Sequence, residues 1–215
     1  SFSMGMNVSN GETLWKKDRP RAANWSSPTL FGNGDNKTIT LQSKEGVTVI
    51  DPKNGQELYT FSEGASTIPS STPVGDILLI PSNGMTALKI HRDRGKTEQL
   101  WNDNKLGPGT GSPSISNGRF LVINKANVLT CAKIETGEIL WRMRVKGPAS
   151  GSPVTSSSHL YFFNEDGLGQ IIKIDGKEGK LVSSLDLKET ILCTPALSEN
   201  ALFVRSDNHL WKLAN

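Results

Sequence analysis

"GSPSISNGRFLVIN" at residues 111–124 returns as "GSPVTSSSHLYFF" at residues 151–163: a Gly-Ser-Pro opening, a short polar gap, then an apolar run. The same order of residue types occurs at "SSPTL" (26–30), "STPVG" (71–75) and "CTPAL" (193–197), so the prolines Pro28, Pro73, Pro113, Pro153 and Pro195 stand 45, 40, 40 and 42 residues apart. A second series keeps step with the first. "GETLW" ends at Trp15, "GQELY" at Tyr59, "TEQLW" at Trp101, "GEILW" at Trp141 and "GKLVS" at Ser183, with spacings of 44, 42, 40 and 42. Two independent features on one period of this length mark a four-stranded repeat of the propeller type.

Between these markers each unit reads as short apolar and β-branched runs bounded by Gly, Asn, Asp and Ser. In the third unit the predicted strands are Arg119–Ile123, Val128–Ile134 and Ile139–Val145. Each shared proline falls at the start of a first strand, where a missing N–H is tolerated. No long helical period is present, so the class is all-β. A four-stranded sheet cannot bury both faces alone, and the units must stack on one another.

The chain opens with a last-strand phrase, "GETLW", and closes with first-, second- and third-strand phrases, "TPAL", "ALFVR" and "HLWKL". The expectation is a β-propeller of four-stranded antiparallel blades, five in this chain, the fifth closed by pairing Thr13–Lys16 with the C-terminal strands. Closure removes unpaired sheet edges. Residues 1–10, beginning "SFSMGM", have neither the basic start nor the apolar middle of a signal peptide and read as a tag remnant or N-terminal extension of a domain covering residues 11–215.

"VTVIDPKNGQELY" (47–59), "LTCAKIETGEILW" (129–141) and "IIKIDGKEGKLV" (171–182) resemble the tryptophan-docking repeat of the PQQ-like (pyrroloquinoline quinone) β-propellers, and the ending from Thr194 is similar to bacterial quinoprotein-like repeat proteins. The resemblance implies that the Asp or Thr-Gly closes a tight turn and that the aromatic packs between blades. Asp51, Gly55 and Tyr59, and Thr136, Gly137 and Trp141, fit best; Lys89 and Lys133 stand where Asp belongs, and Ser183 where Trp belongs. These departures imply imperfect docking at some blade junctions. The resemblance also implies an extracytoplasmic location, and family members with eight blades suggest that the chain is the C-terminal part of a longer propeller.

Charge and composition narrow the function classes. With 24 basic against 21 acidic residues the net charge is +3, too balanced to recommend nucleic acid as a partner. No apolar run approaches the roughly 20 residues of a membrane helix. Cys131 and Cys193 match no metal or redox spacing and read as buried free thiols. His91, His159 and His209 are scattered over three units, supporting neither a metal site nor a triad. "HRD" at 91–93 and "GPGTG" at 107–111 lack the partners that would make them a kinase loop or a phosphate loop, and both read as turns. The PQQ-dependent dehydrogenases similar to this repeat family carry adjacent cysteines and a calcium site that this sequence does not show, so neither catalytic residue, metal nor cofactor is assigned.

The remaining candidate is geometric. Loops entering the first strands are small and polar except for Trp25 and Ile68, so the candidate binding face is Arg21, Asn24, Trp25 and Ile68. The reading is a non-catalytic scaffold with a protein partner; a quinoprotein dehydrogenase, or a carbohydrate binder using Trp25 and Trp211, are the alternatives.

Overall fold

The computed structural model describes residues 1–32, 36–91 and 96–214, which fold as strands with a 3-10 turn at Asn104–Leu106. Two compact units divide the chain, residues 1–102 and the segment from Asp103 onward.

In the first unit β1 (Phe2–Met6) pairs antiparallel with β2 (Thr13–Asp18). Next comes a four-stranded sheet of β3 (Thr29–Phe31), β4 (Thr38–Ser43), β5 (Gly46–Ile50) and β6 (Glu57–Phe61), and then one of β7 (Thr72–Val74), β8 (Ile77–Ser82), β9 (Gly84–His91) and β10 (Lys96–Asp103). The second unit contains a sheet of β11 (Ser114–Ser116), β12 (Arg119–Ile123), β13 (Val128–Lys133) and β14 (Ile139–Arg144), and another of β15 (Val154–Thr155), β16 (His159–Phe163), β17 (Leu168–Lys173) and β18 (Lys180–Asp186). Its last sheet has three strands, β19 (Ala196–Ser198), β20 (Ala201–Arg205) and β21 (Leu210–Ala214).

All these sheets run in chain order, as meanders. Central strands are buried on both faces, which is why they read as continuous apolar runs rather than alternating ones. Thus Val47 and Phe61 of one sheet pack with Leu78, Ile80 and Leu88 of the next. In the second unit Leu121, Leu129, Cys131 and Trp141 share a core with Leu160, Phe162, Ile172 and Ile174. Burying apolar surface between sheet faces stabilises by roughly 25 cal/mol per Å².

The repeated Ser-Pro phrase is a chain of hydrogen bonds between neighbouring sheets. Ser112 N–H donates to Ser152 Oγ at 2.8 Å, and Ser152 N–H to Thr194 Oγ1 at 2.9 Å, each joining the residue before one shared proline to its counterpart in the next repeat. In the first unit Ser27 N–H donates to Ser70 Oγ at 2.9 Å. The backbones approach so closely here that a Cβ on Gly151 would collide with the Cys193 carbonyl oxygen. Gly-Ser-Pro recurs because each of its first two positions answers to the next sheet, while the proline gives up an N–H at a strand start.

The structure corrects the expected closure. β2 pairs with β1, and among the described residues the sheet of β19, β20 and β21 has three strands, so the composite fifth blade is not formed from Thr13–Lys16. Residues 1–10 supply the reason. Asn7 N–H donates to Glu12 O and Gly11 N–H to Asn7 O, both at 2.8 Å, which reproduces Asp51 to Gln56 and Gly55 to Asp51, also at 2.8 Å. Lys133 to Glu138 at 2.9 Å and Gly137 to Lys133 at 3.0 Å repeat the pattern again. Gly11, Gly55 and Gly137 close these turns at φ 74°, 72° and 70°, a left-handed conformation that glycine adopts without strain. Phe2–Met6 is thus a strand followed by a tight turn with the hydrogen bonds of the later repeats, and the "GETLW" strand already has its inner neighbour.

Candidate functional site

Trp25 and Ile68 lie 43 residues apart in sequence on loops that lead into successive sheets, and the first unit brings them together. Trp25 N–H donates to Thr67 O at 2.7 Å, next to Ile68. Both side chains remain outside the core, with 69% of Trp25 and 46% of Ile68 exposed.

Gln42 braces these loops from beneath. Almost fully buried, it donates through Nε2 to Ser66 O at 2.5 Å and Pro69 O at 2.8 Å, and its Oε1 accepts from Ser71 N–H at 2.8 Å. Its backbone carbonyl accepts from Asn24 Nδ2 at 2.9 Å, and Asn24 Oδ1 accepts from Ser26 Oγ at 2.9 Å. Asn24 is thus held as a brace. Arg21 is exposed on the same loop. The arrangement exposes two apolar side chains on loops whose backbones are tied together by hydrogen bonds.

A cavity of about 280 Å³ opens beside this loop, lined among others by Arg19, Asn24, Gln42 and Lys44. Arg19 donates from Nη2 to Leu41 O at 3.3 Å. Burial pushes its guanidinium below the ordinary value, against the pull of Glu57 and Glu45. Nothing in the sequence flagged Gln42 or Arg19, because their roles come from loops far along the chain.

Cys131 is buried and Cys193 half-buried, where both read as buried from sequence; both are free thiols, and Cys193 Sγ donates to Arg205 O at 3.1 Å. Burial pushes the Cys131 thiol up to about 11. His91 ends β9 with its Nε2 2.8 Å from Glu98 Oε2; the rest of the 91–93 phrase lies outside the described residues. His209 Nδ1 lies 2.7 Å from Glu189 Oε1, whose other oxygen accepts from Ser206 Oγ at 2.5 Å. Those bonds, the one from Ser206 foremost, hold the Glu189 carboxyl below its usual range. Among the described residues no three His, Cys, Asp or Glu side chains group as metal ligands. No helix of the described residues is long and apolar enough to cross a membrane.

Trp15, Tyr59 and Trp141 pack as the repeat implies. Trp15 Nε1–H donates to Pro52 O at 2.8 Å, and its ring covers Gly55, in the turn of the following sheet. Tyr59 packs against Phe31, Val49 and Ile90. Trp141, 7% exposed, lies on Gly179, the last residue of the turn between β17 and β18.

Residues 89–182 match the family model described as outer membrane protein assembly factor BamB. A search of curated proteins returns no match. The fold is similar to that of BamB from Moraxella catarrhalis, with TM-score 0.73 and 17% identity over 97% of this chain and 62% of that one. It is also similar to the computationally designed Ika8 protein, with TM-score 0.71, 17% identity, and coverage of 94% of this chain and 62% of that one. The N-terminal domain of Nup159 matches with TM-score 0.56 at 9% identity, covering 91% of this chain and 62% of that one. The chain therefore spans about 62% of the length of these structures. Family match and fold agree in kind: residues 89–182 match a PQQ-like repeat model, and the all-β fold is similar to that of BamB, a PQQ-like β-propeller protein.

Proposed function

We propose that the chain is a non-catalytic interaction or assembly scaffold that binds a protein partner in an extracytoplasmic compartment. The observation that carries this reading is the Trp25–Ile68 pair, exposed on loops that the buried Gln42 holds rigid. An aromatic anchor whose backbone is already fixed loses little entropy on binding, and truncating such an anchor typically costs 2 kcal/mol or more, about a thirtyfold loss of affinity. Likeness to an outer membrane protein assembly factor supports both the partner class and the compartment.

The test is a photo-crosslinking residue at Ile68 in the native host, with and without Trp25→Ala. A protein adduct that weakens with Trp25→Ala, together with lowered outer membrane protein levels at unchanged abundance of this chain, is the expected result. Crosslinking and outer membrane protein levels unaffected by Trp25→Ala, or specific binding on a glycan array that needs Trp25, would sink it. Saturable dye reduction that requires added PQQ and calcium would turn the reading to an enzyme.

A further inference from the structure

Asparagine followed by glycine occurs at residues 10–11, 33–34, 54–55, 83–84 and 117–118. The second of these steps lies outside the described residues; the asparagines of the other four are all exposed. The pair is reactive because the nitrogen of a residue without a Cβ lies open to the side-chain amide before it. That nitrogen attacks the Asn Cγ: a C–N bond forms, the Cγ–Nδ2 bond breaks, and ammonia leaves with the proton of the glycine N–H. Water then opens the succinimide ring at one carbonyl or the other, giving aspartate or isoaspartate. Attack needs a side chain free to fold back on the following nitrogen, so local order in the folded chain decides which steps react.

Three of the four described steps are held. Gly11 N–H donates to Asn7 O and Gly55 N–H to Asp51 O, both at 2.8 Å, which engages the attacking nitrogens. Asn10 Oδ1 accepts from Glu12 N–H at 3.0 Å and Asn54 Oδ1 from Gln56 N–H at 2.8 Å, which turns both side chains away from the glycine. Asn117 Nδ2 donates to Ser157 O at 2.7 Å and is tied to the next sheet. Asn83 differs. It is the one residue between β8 and β9, at the tip where Ser82 pairs with Gly84, and its side chain makes no hydrogen bond among the described residues. The hairpin below the tip is fixed, since Thr86 Oγ1 lies 2.9 Å from Ser82 Oγ and accepts from Asn102 Nδ2 at 2.9 Å.

We propose that Asn83 is a modification site, which deamidates without an enzyme in the folded chain ahead of Asn10, Asn54 and Asn117. The turn then gains a negative charge, and the isoaspartyl product adds a carbon to the backbone between Ser82 and Gly84. Pro81, two residues earlier, feels that change. Its carbonyl accepts from Ser66 N–H at 2.7 Å, a bond that fastens the loop carrying Ile68 to β8. Conversion at Asn83 therefore loosens that loop. The chemistry is the same whatever the Trp25–Ile68 surface binds.

The experiment ages the chain in mildly alkaline buffer, folded and in denaturant, and maps each asparagine by proteolysis and mass spectrometry, with isoaspartate scored by a methyltransferase assay. In the folded chain conversion at Asn83 should run roughly tenfold ahead of Asn10, Asn54 and Asn117, and in denaturant that lead should vanish, because all four share the glycine and only folding separates them. Asn83→Gln, whose longer side chain disfavours the five-membered ring, should silence position 83 and leave the other three unchanged. In the purified isoaspartyl form the Ser66 amide should exchange its hydrogen faster than in the parent. Conversion at Asn83 no faster than at Asn117 in the folded chain, or an equal lead in denaturant, would overturn the site. Unchanged exchange at Ser66 would overturn its effect on the Ile68 loop.

Discussion

β14 and β18 hold the same place in successive sheets of one unit, yet one is sealed and the other open. β14 buries Trp141 and half-buries Ile139, Leu140 and Met143, whereas every residue of β18 is exposed. Backbone pairing does not separate them, since each strand is fully paired with its inner neighbour and carries the same register shift. The difference is what the following sheet sets opposite them: Trp141 lies on Gly179, in the turn between third and fourth strands of the next sheet, whereas among the described residues the sheet after β18 has three strands and sets no such turn opposite Ser183. In this repeat the hydrogen-bond ladder makes the sheet, and the aromatic makes the junction between sheets.

Trp141→Ala is the most direct way to break the comparison, because it gives β14 the exposed character of β18. Emptying that seat should cost about 3–5 kcal/mol, as large-to-small core replacements of aromatics do, seen as a large drop in the chemical-denaturation midpoint. Gly179→Ala attacks the same contact from the other side, pressing a methyl group onto the Trp141 ring and the Met143 sulfur. Overpacking of this kind costs about 1–3 kcal/mol, and combining it with Trp141→Ala should largely relieve its own share, which a double-mutant cycle measures.

A smaller effect sharpens the comparison between two filled seats. Trp15 donates to Pro52 O, whereas Trp141 Nε1 is buried and finds no hydrogen-bond acceptor among the described residues. The equivalent carbonyl, that of Gly176, accepts from Arg119 Nη1 at 3.3 Å instead. Trp15→Phe should therefore cost about 1 kcal/mol more than Trp141→Phe, the usual net worth of a hydrogen bond; equal losses in denaturation would contradict the assignment of Gly176 to Arg119.

Cys131, the cross-strand partner of Trp141, reports the seal by its chemistry. Burial pushes its thiol from the ordinary 9.0 up to about 11, so the unfolded chain ionises first and stability falls as pH rises from about 9 through about 11. In the folded protein at pH 8 a maleimide reagent should label Cys193 well before Cys131, and Trp141→Ala should narrow that gap. The smallest expected change is Ser183→Ala, within about 0.5 kcal/mol of the parent because the position is exposed; a melting-temperature loss near that of Trp141→Ala would show that the β18 junction is sealed after all.

Much of the fold is legible in the sequence because its determinants are local. The turn needs a glycine at Gly55 or Gly137, the strand start tolerates Pro113 or Pro153, and a central strand such as Arg119–Ile123 must be apolar throughout. The candidate site was legible only in part. Trp25 and Ile68 stand out by composition, but their adjacency depends on a hydrogen bond between distant loops, and Asn24 turned out to be tied into the Gln42 brace. β2 was misassigned because an edge strand's partner is not written in its own residues. "GETLW" fits equally beside any third strand, and the weak apolar signal of "FSMGM" hid the one it has.

By itself the sequence determined the period, the all-β class, the tight turns and the identity of the residue at each docking position, since each depends on side chains within a few positions of one another. Tertiary structure alone decided which strand pairs with β2, which loops stand together, and whether a docking position becomes a sealed junction or an open groove. Ser183 is plain to read, but Tyr161, Phe163, Leu202 and Leu213 line one groove from different strands, and packed volume is a property of neighbours that no single stretch of chain contains.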